Sequence, residues 1–321
     1  MSQLIVGAYA AAPALLHSDE RAEDIWFSSL RDSPLVGGLE LPFINGLHPS
    51  GIQRALSLMK PSWRSVVTLM PCVWNRLASD AAYGIASSDN SSREKAIKDV
   101  SDARTEILKV RDVNGPGAVV AVQVQSGPGG QQDNRSLRAF TDSLYEIISW
   151  DWDGVVVSVE HCDSHRGVGV PQKGFLSLDE EVAVLAELYG STPTVTGHTL
   201  NWARSVIESR DAGTPTRQAE SLQKAASLSG VIYSGVSPVP SPYGGAWTDA
   251  HLPVANSGEG SEPTSLLTVE QMGAVERAAG SPLYKGVKIA APRHATSLLE
   301  RLEPSYATLR ALASVTVNEG R

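Results

Sequence analysis

Cysteine is scarce in this sequence, since the 321 residues contain only Cys72 and Cys162, which lie far apart and form no Cys-x-x-Cys pair. This scarcity excludes a disulfide framework and a zinc-finger module. Positive charge is also in deficit, with 27 Lys and Arg against 35 Asp and Glu and a net charge of −8. A nucleic-acid partner and an anionic membrane surface are therefore not expected.

Long apolar runs are missing too, because none approaches the roughly 18 residues of a membrane span. The run from Leu4 to Leu16 has no Lys or Arg ahead of it and is interrupted by Pro13. It is more typical of a first buried strand than of a signal peptide, so we expect a cytoplasmic protein. The sequence also has no phosphate-binding Gly-x-x-x-x-Gly-Lys-Ser/Thr, no His-Glu-x-x-His and no Gly-x-Ser-x-Gly.

What the sequence does contain is a repeated alternation of short apolar runs with longer segments of helical period. The runs are rich in β-branched residues, which is typical of parallel strands covered on both faces. The predicted strands are 4–9, 38–42, 65–70, 118–124, 154–160, 194–200, 230–234 and 286–290. Eight strands alternating with helices over about 300 residues predict a single (β/α)₈ TIM barrel spanning residues 1–321.

Helix starts and one long loop complete this outline. Ser177 and Thr268 begin capping boxes, and 93–110 has the pattern of a long amphipathic helix. A last helical stretch, 296–313, contains Pro304, which predicts two shorter helices. The segment at about 237–265 is rich in Pro, Gly and Ser, and a loop of that length is more often an active-site lid than a linker.

Two carboxylates stand where barrel enzymes keep their chemistry. Glu160 follows the Val-rich fifth strand and precedes His161, and Glu40 lies near the end of the second strand. At the barrel mouth a carboxylate can bind a divalent metal or take a proton from carbon next to a carbonyl. Glu160 could equally be a solvated strand-end charge. Glu40 could equally form a buried salt bridge with Lys288, and both alternatives stay open.

The combined pattern resembles the xylose-isomerase-like TIM barrels, a superfamily of sugar isomerases, epimerases and endonucleases. The resemblance is carried by residues 38–42 (Gly-Leu-Glu-Leu-Pro), 159–162, 196–204 and 249–253 (Asp-Ala-His-Leu-Pro), and is nearest to an uncharacterised bacterial branch. It implies a divalent metal (Mn²⁺, Mg²⁺ or Zn²⁺) held by Glu, Asp, His and Glu after strands five to eight. Two of those glutamates would also move a proton through an enediolate.

Carried over residue by residue, this pattern is only partly present. Glu160 matches the strand-five ligand, but Asn201 stands for the Asp, Ser234 or Ser237 for the His, and Lys288 for the second Glu. One carboxylate with amide and hydroxyl oxygens binds Mg²⁺ or Mn²⁺ poorly. Two alternatives follow. Asp249 or His251 could replace the missing ligands, or Lys288 could polarise a carbonyl without metal.

Further residues are candidates for substrate binding. Arg204 stands where the family has a substrate-binding His, and its guanidinium suits a carboxylate, sulfate or phosphate. It could instead pair with Glu208, four residues along a helix. Trp202 and Trp74 could stack on a sugar ring or simply pack in loops. His161 is included because it directly follows Glu160.

These observations predict a sugar isomerase or epimerase-like enzyme that transfers a proton next to a carbonyl of a carbohydrate or sugar acid. One alternative is a hydrolase or lyase acting on an anionic sugar, with Glu160 assisted by His251 or Asp163. Another is a non-catalytic sugar-binding barrel. The expected partner is a small-molecule carbohydrate, and the resemblance is compatible with a homo-oligomer. Fold alone does not decide among these functions.

Overall fold

The eight strands of the computed structural model close into one parallel barrel in which each strand pairs with its neighbours in sequence and β8 pairs with β1. The structure describes residues 4–129 and 134–317. The strands are β1 (Leu4–Val6), β2 (Val36–Pro42), β3 (Ser65–Thr68), β4 (Val119–Val124), β5 (Val156–Glu160), β6 (Thr196–Asn201), β7 (Leu228–Tyr233) and β8 (Tyr284–Val287). The predicted single (β/α)₈ TIM barrel is confirmed.

Helices alternate with the strands and cover the outside of the barrel. They are α1 (Glu20–Asp32), α2 (Ile52–Leu58), α3 (Met70–Leu77), α4 (Asn90–Asn114), α5 (Asn134–Ile148), α6 (Leu178–Leu188), α7 (Trp202–Ser209), α8 (Thr214–Lys224), α9 (Val269–Ala279) and α10 (Leu298–Val317). Short 3₁₀ turns at Ala8–Ala10 and Leu16–Ser18 follow β1. No helix among the described residues is long and apolar enough to cross a membrane.

Local sequence signals explain several helix boundaries. Ser177 and Glu180 form the predicted capping box at α6, and Thr268 Oγ1 accepts a hydrogen bond from the Gln271 N–H at the start of α9. The predicted break at Pro304 is wrong, because α10 runs through it. Leu302 and Leu309, on either side of that proline, are fully buried. Their burial offsets the one backbone hydrogen bond that the proline cannot donate.

The segment 237–265 contains no helix or strand, yet it is fixed to the barrel. The Gly235 N–H donates to the Leu252 carbonyl and the Leu252 N–H donates back, in an isolated antiparallel bridge. Leu252 and Val254 are buried, and the Ala290 N–H donates to the His251 carbonyl. The segment thus carries Asp249 and His251 to the carboxyl ends of the strands, where barrel enzymes place their chemistry.

Candidate functional site

Glu160 lies at the carboxyl end of β5, fully buried and surrounded by donors. Arg204 Nη1 is 2.7 Å and Asn201 Nδ2 is 3.2 Å from Glu160 Oε1, and Gln125 Nε2 is 3.0 Å from Oε2. Lys288 Nζ lies 3.7 Å from Oε1. Burial by itself raises the pKa of a carboxyl, but the charges of Arg204 and Lys288 lower the pKa of Glu160 to about 2. Glu160 is therefore a fixed anion with low basicity.

Glu40, on β2, is the second buried carboxylate of the site and lies beside the Lys288 ammonium. Lys288 Nζ is 3.0 Å from Glu40 Oε2, so the salt bridge considered from the sequence is present. Burial raises the pKa of Glu40, and the positive charge of Lys288 only partly opposes that effect. The pKa of Lys288 is raised, because Glu160 and Glu40 outweigh the effect of its burial. Glu40 is consequently the stronger base of the two carboxylates.

Arg204, at the start of α7, joins the barrel to the segment 237–265. Its Nε lies 3.1 Å from Asp249 Oδ2, and Lys173 Nζ lies 2.6 Å from the same oxygen. Acidic and basic side chains therefore alternate through Glu40, Lys288, Glu160, Arg204, Asp249 and Lys173. We refer to these six residues as the ion-pair chain. Pairing of Arg204 with Glu208, the alternative considered from the sequence, is not what the structure has.

A polar floor lies beneath Glu160 inside the barrel. Ser158 Oγ is 2.6 Å from Thr199 Oγ1, and the Tyr284 hydroxyl forms a hydrogen bond with the same Thr199 oxygen. Gln123 Nε2 lies 3.3 Å from the Tyr284 hydroxyl. Gly230 makes room for the Tyr284 ring, because a Cβ at this position would lie 2.2 Å from it. The floor fixes β5 and β6, and with them the positions of Glu160 and Asn201.

A cavity of about 410 Å³ opens at the carboxyl ends of β1 and β2. Its wall is mostly apolar, and Tyr9 and Glu40 are among its polar lining residues. Burial raises the pKa of the Tyr9 hydroxyl, which therefore stays protonated and can donate a hydrogen bond. Lys288 Nζ lies 5.6 Å from the centre of the Tyr9 ring. The cavity thus lies next to the Glu40 end of the ion-pair chain, whose Glu40 and Lys288 side chains are themselves fully buried.

The residues around Glu160 do not fit a divalent cation of the kind that the resemblance implies. Asn201 directs its Nδ2 to Glu160, while its Oδ1 accepts from the Arg204 N–H and the Ser234 hydroxyl. Two fixed cations, Arg204 and Lys288, occupy the surroundings of Glu160 Oε1. A metal ion there would meet positive charge where acidic ligands are needed.

The other predicted metal ligands lie on the segment 237–265. Asp249 is engaged by Arg204 and Lys173, and burial is outweighed by these charges, so its pKa is lowered. His251 Nδ1 lies 3.3 Å from Asp249 Oδ1. Burial lowers the pKa of His251 to about 4, so this imidazole is neutral at pH 7. Asp249 thus reaches the mouth of the barrel as an ion-pair partner of Arg204 and Lys173, and His251 lies beside it as a neutral imidazole.

The remaining predicted substrate contacts lie apart from the cavity lining. Both ring nitrogens of His161 contact carboxylates, Nδ1 at 2.8 Å from Glu181 and Nε2 at 3.3 Å from Glu208, so neither nitrogen is open to a ligand. Trp202 is fully buried in the hydrophobic core. Trp74 is 55% exposed on α3, with the Lys173 ammonium 5.6 Å from its ring centre.

The sequence analysis missed three participants, namely Tyr9, Gln125 and Lys173. Gln125 carried a usable signal, because it is a polar residue directly after the apolar strand β4, as Glu160 is after the Val-rich part of β5. Tyr9 is the last residue of the predicted first strand, 4–9, and so carried a similar signal, whereas Lys173 follows no strand directly and had none. Their roles depend on how the loops after β1 and β5 fold back over the barrel.

Comparison with known proteins places the chain in a family. Residues 5–304 match the family described as a domain of unknown function (DUF4862). The uncharacterised protein STM3670 of Salmonella typhimurium is 32% identical over 289 residues, which are 89% of this chain and 88% of that protein.

Solved structures share the architecture at much lower identity. A D-tagatose 3-epimerase-like protein superposes with a TM-score of 0.62 at 15% identity, over 99% of this chain and 100% of its own. A xylose isomerase-like TIM barrel protein from Mycobacterium smegmatis, solved in complex with magnesium, gives 0.55 at 12% identity, over 98% and 97%. The fold is thus that of the xylose isomerase-like sugar isomerase and epimerase barrels, and the chain belongs to the DUF4862 family.

Proposed function

We propose that the protein is a sugar isomerase or epimerase-like enzyme in which Glu40 moves a proton on a carbon next to a carbonyl. The observation that carries the proposal is the position of Glu40, which lines the cavity and has the Lys288 ammonium 3.0 Å from its Oε2. A carboxylate whose pKa is raised by burial is suited to general-base catalysis near neutral pH.

The chemistry follows from these groups. Glu40 takes the proton from the carbon, and the electrons of the broken C–H bond pass to the carbonyl oxygen to form an enediolate. Lys288 and the Tyr9 hydroxyl stabilise that oxygen. For isomerisation, the proton of the hydroxyl on the deprotonated carbon passes to that oxygen, Glu40 returns its proton to the former carbonyl carbon, and the carbonyl re-forms at the carbon that was first deprotonated. Lys288 carries the positive charge that a metal would otherwise supply. Glu160 serves as a positioning residue, because it holds Arg204 and lies beside Lys288.

No specific observation favours either alternative function, the hydrolase or lyase and the non-catalytic sugar-binding barrel. Arg204 is 1% exposed and already paired with two carboxylates, so it is not open to an anionic sugar. Asp163 accepts backbone hydrogen bonds from Gln172 and Lys173, which makes it part of a loop rather than an acid for a hydrolase. A sugar-binding barrel without turnover is distinguished from an enzyme by the experiment below.

The test is solvent-deuterium incorporation into a panel of aldoses, ketoses and sugar acids, followed by proton NMR. We expect exchange with the wild-type chain and a loss of about 100- to 10,000-fold in Glu40→Gln, which keeps the size of the side chain but removes its basicity. Glu220→Gln, an exposed change on α8, is the matched control and should retain full activity. Full exchange in Glu40→Gln contradicts the proposal, and ligand-induced stabilisation without exchange supports the sugar-binding barrel instead.

A further inference from the structure

Two histidines and a buried glutamate meet at the wall of the cavity, away from the ion-pair chain. His17 lies in the 3₁₀ turn after β1, Glu23 in the first turn of α1, and His48 in the connection between β2 and α2. His17 Nδ1 is 2.6 Å and His48 Nε2 is 2.7 Å from Glu23 Oε1. One potential metal-ligand atom from each of these three residues lies within 4.8 Å of the other two. Within residues 4–129 and 134–317, no other group of three or more His, Cys, Asp and Glu side chains meets this distance.

We propose that His17, Glu23 and His48 form a site for a transition-metal ion, with Zn²⁺ as the preferred ion. Two imidazole nitrogens and one carboxylate oxygen are a ligand set that Zn²⁺ binds with a fourth, exchangeable position. His17 and His48 both line the cavity, so a water molecule or an oxygen donor of a bound small molecule can take that fourth position. The proposal goes beyond the proposed function and does not depend on it.

The surroundings of Glu23 prepare its carboxylate for one metal bond. Arg54 Nε donates to Glu23 Oε2 at 2.7 Å, and Arg54 is itself held by Asp24 at 2.9 Å. This leaves Oε1, which faces both imidazoles, as the ligand atom. The Glu23 side chain is 1% exposed, and the opposing charges and hydrogen bonds of His48, His17 and Arg54 overcome the effect of burial and lower its pKa. Carboxylates that hold metals are typically oriented by such outer partners.

Ion binding requires a small and specific rearrangement. Bonds of about 2.0–2.1 Å in a tetrahedral site place ligand atoms roughly 3.4 Å apart, so the two N–O contacts must lengthen by less than about 1 Å. His17 can move, since 42% of its side chain is exposed. Each imidazole must move the proton that now faces Glu23 Oε1 to its other nitrogen. In His17 the proton shifts from Nδ1 to Nε2, and in His48 it shifts from Nε2 to Nδ1, which now accepts from the Ser50 N–H at 3.0 Å. Ser50 is exposed, so water can replace that contact.

The test is titration of chelator-treated full-length protein with Zn²⁺ by calorimetry, and with Co²⁺ by visible absorption as a probe of tetrahedral coordination. We expect one equivalent bound, a rise in melting temperature and intense Co²⁺ absorption bands. His17→Ala changes a side chain that is 42% exposed, and it should weaken binding by more than about 100-fold. His48→Ala should do the same, whereas His294→Ala, at an exposed histidine elsewhere, should bind as the wild type does.

Other outcomes overturn the proposal. Absence of Zn²⁺ binding by the wild-type chain at 0.1 mM (an order-of-magnitude threshold, about −5.5 kcal/mol) is one of them. Unchanged binding in His17→Ala is another. Binding lost in His251→Ala and retained in His17→Ala would place the ion at the barrel mouth and would also contradict the site. Because no sugar enters this titration, its failure leaves the proton-exchange test of Glu40 unaffected.

Discussion

Arg204 Nη1 lies 2.7 Å from Glu160 Oε1, with both side chains buried almost completely inside the mouth of the barrel. Removing one partner of such a pair leaves a buried charge without compensation. Arg204→Met should therefore lower the free energy of unfolding by about 3–5 kcal/mol. The matched change Arg217→Met, in an exposed pair with Asp211, should cost no more than about 1 kcal/mol. Urea denaturation measures both, and equal losses would contradict the expectation.

His161 should make the protein less stable at alkaline pH. Burial disfavours its charged form, but Glu181 and Glu208 raise its pKa from 6.5 to about 10. The folded state therefore binds a proton that the unfolded state releases, so this contribution is complete below pH 6.5 and is lost as the pH rises to 10. The slope reaches about 1.4 kcal/mol per pH unit. Urea unfolding at pH 6–10 should show a flatter profile for His161→Gln than for His294→Gln, and parallel profiles would refute this.

His198 should make the protein less stable at acid pH. It is fully buried, and among residues 4–129 and 134–317 neither of its ring nitrogens has a hydrogen-bond partner. Burial lowers its pKa to about 3. Between pH 6.5 and 3 the unfolded state binds a proton that the folded state does not, so stability falls as the pH falls. His198→Leu should remove this part of the acid sensitivity. The comparison is the difference in unfolding free energy between pH 7 and pH 4, which should be larger for the wild type.

Gly7 keeps open the space that Glu40 and Lys288 share. A Cβ at Gly7 would lie 2.8 Å from Glu40 Oε2 and 3.2 Å from the Lys288 side chain. Gly7→Ala should displace this pair, lower the melting temperature and reduce the proposed proton exchange. In Gly245→Ala the nearest heavy atom would lie at an ordinary 3.5 Å, so this variant should behave as the wild type does. Identical melting temperatures for the two variants would show that Glu40 and Lys288 can move to accommodate the added methyl group without a loss of stability.

The proposed base sets a direction for the pH dependence of proton exchange. Burial raises the pKa of Glu40 above its usual 4.5, and Lys288 opposes this only in part. The exchange rate should therefore rise with pH through an acid limb whose midpoint lies above 4.5. A limb near pH 2, the region of the Glu160 pKa, would assign the base to Glu160 instead. The measurement is the deuterium exchange rate as a function of pH, at substrate concentrations well below saturation.

The barrel could be predicted because strands and helices have different apolar periods. Each of the eight predicted strands overlaps an observed one, and the errors are at the ends, such as Met70, which begins α3 rather than ending β3. Pro304 was misjudged for a different reason. The rule that proline breaks helices is local, whereas the burial of Leu302 and Leu309 depends on the whole barrel.

The sequence predicted which residues of the candidate site lie near the barrel mouth, but it did not predict which of them contact one another. A residue at the carboxyl end of a strand must lie near the barrel mouth, which located Glu40, Glu160, Asn201 and Lys288. Which cation meets which carboxylate depends on side-chain directions and on loops that fold back from far along the chain. Arg204 therefore pairs with Asp249 rather than with Glu208, its neighbour on the same helix. The contribution of Lys173 depends on the same long-range packing.

The ion-pair chain has one more consequence, for the way a ligand approaches. Its three carboxylates, on Glu40, Glu160 and Asp249, are balanced by three cations, on Lys173, Arg204 and Lys288. Because these fixed charges cancel, the barrel mouth has strong local dipoles but little net field to draw in a distant ion. Even a phosphorylated ligand should therefore associate without electrostatic steering, at a rate that added salt barely changes.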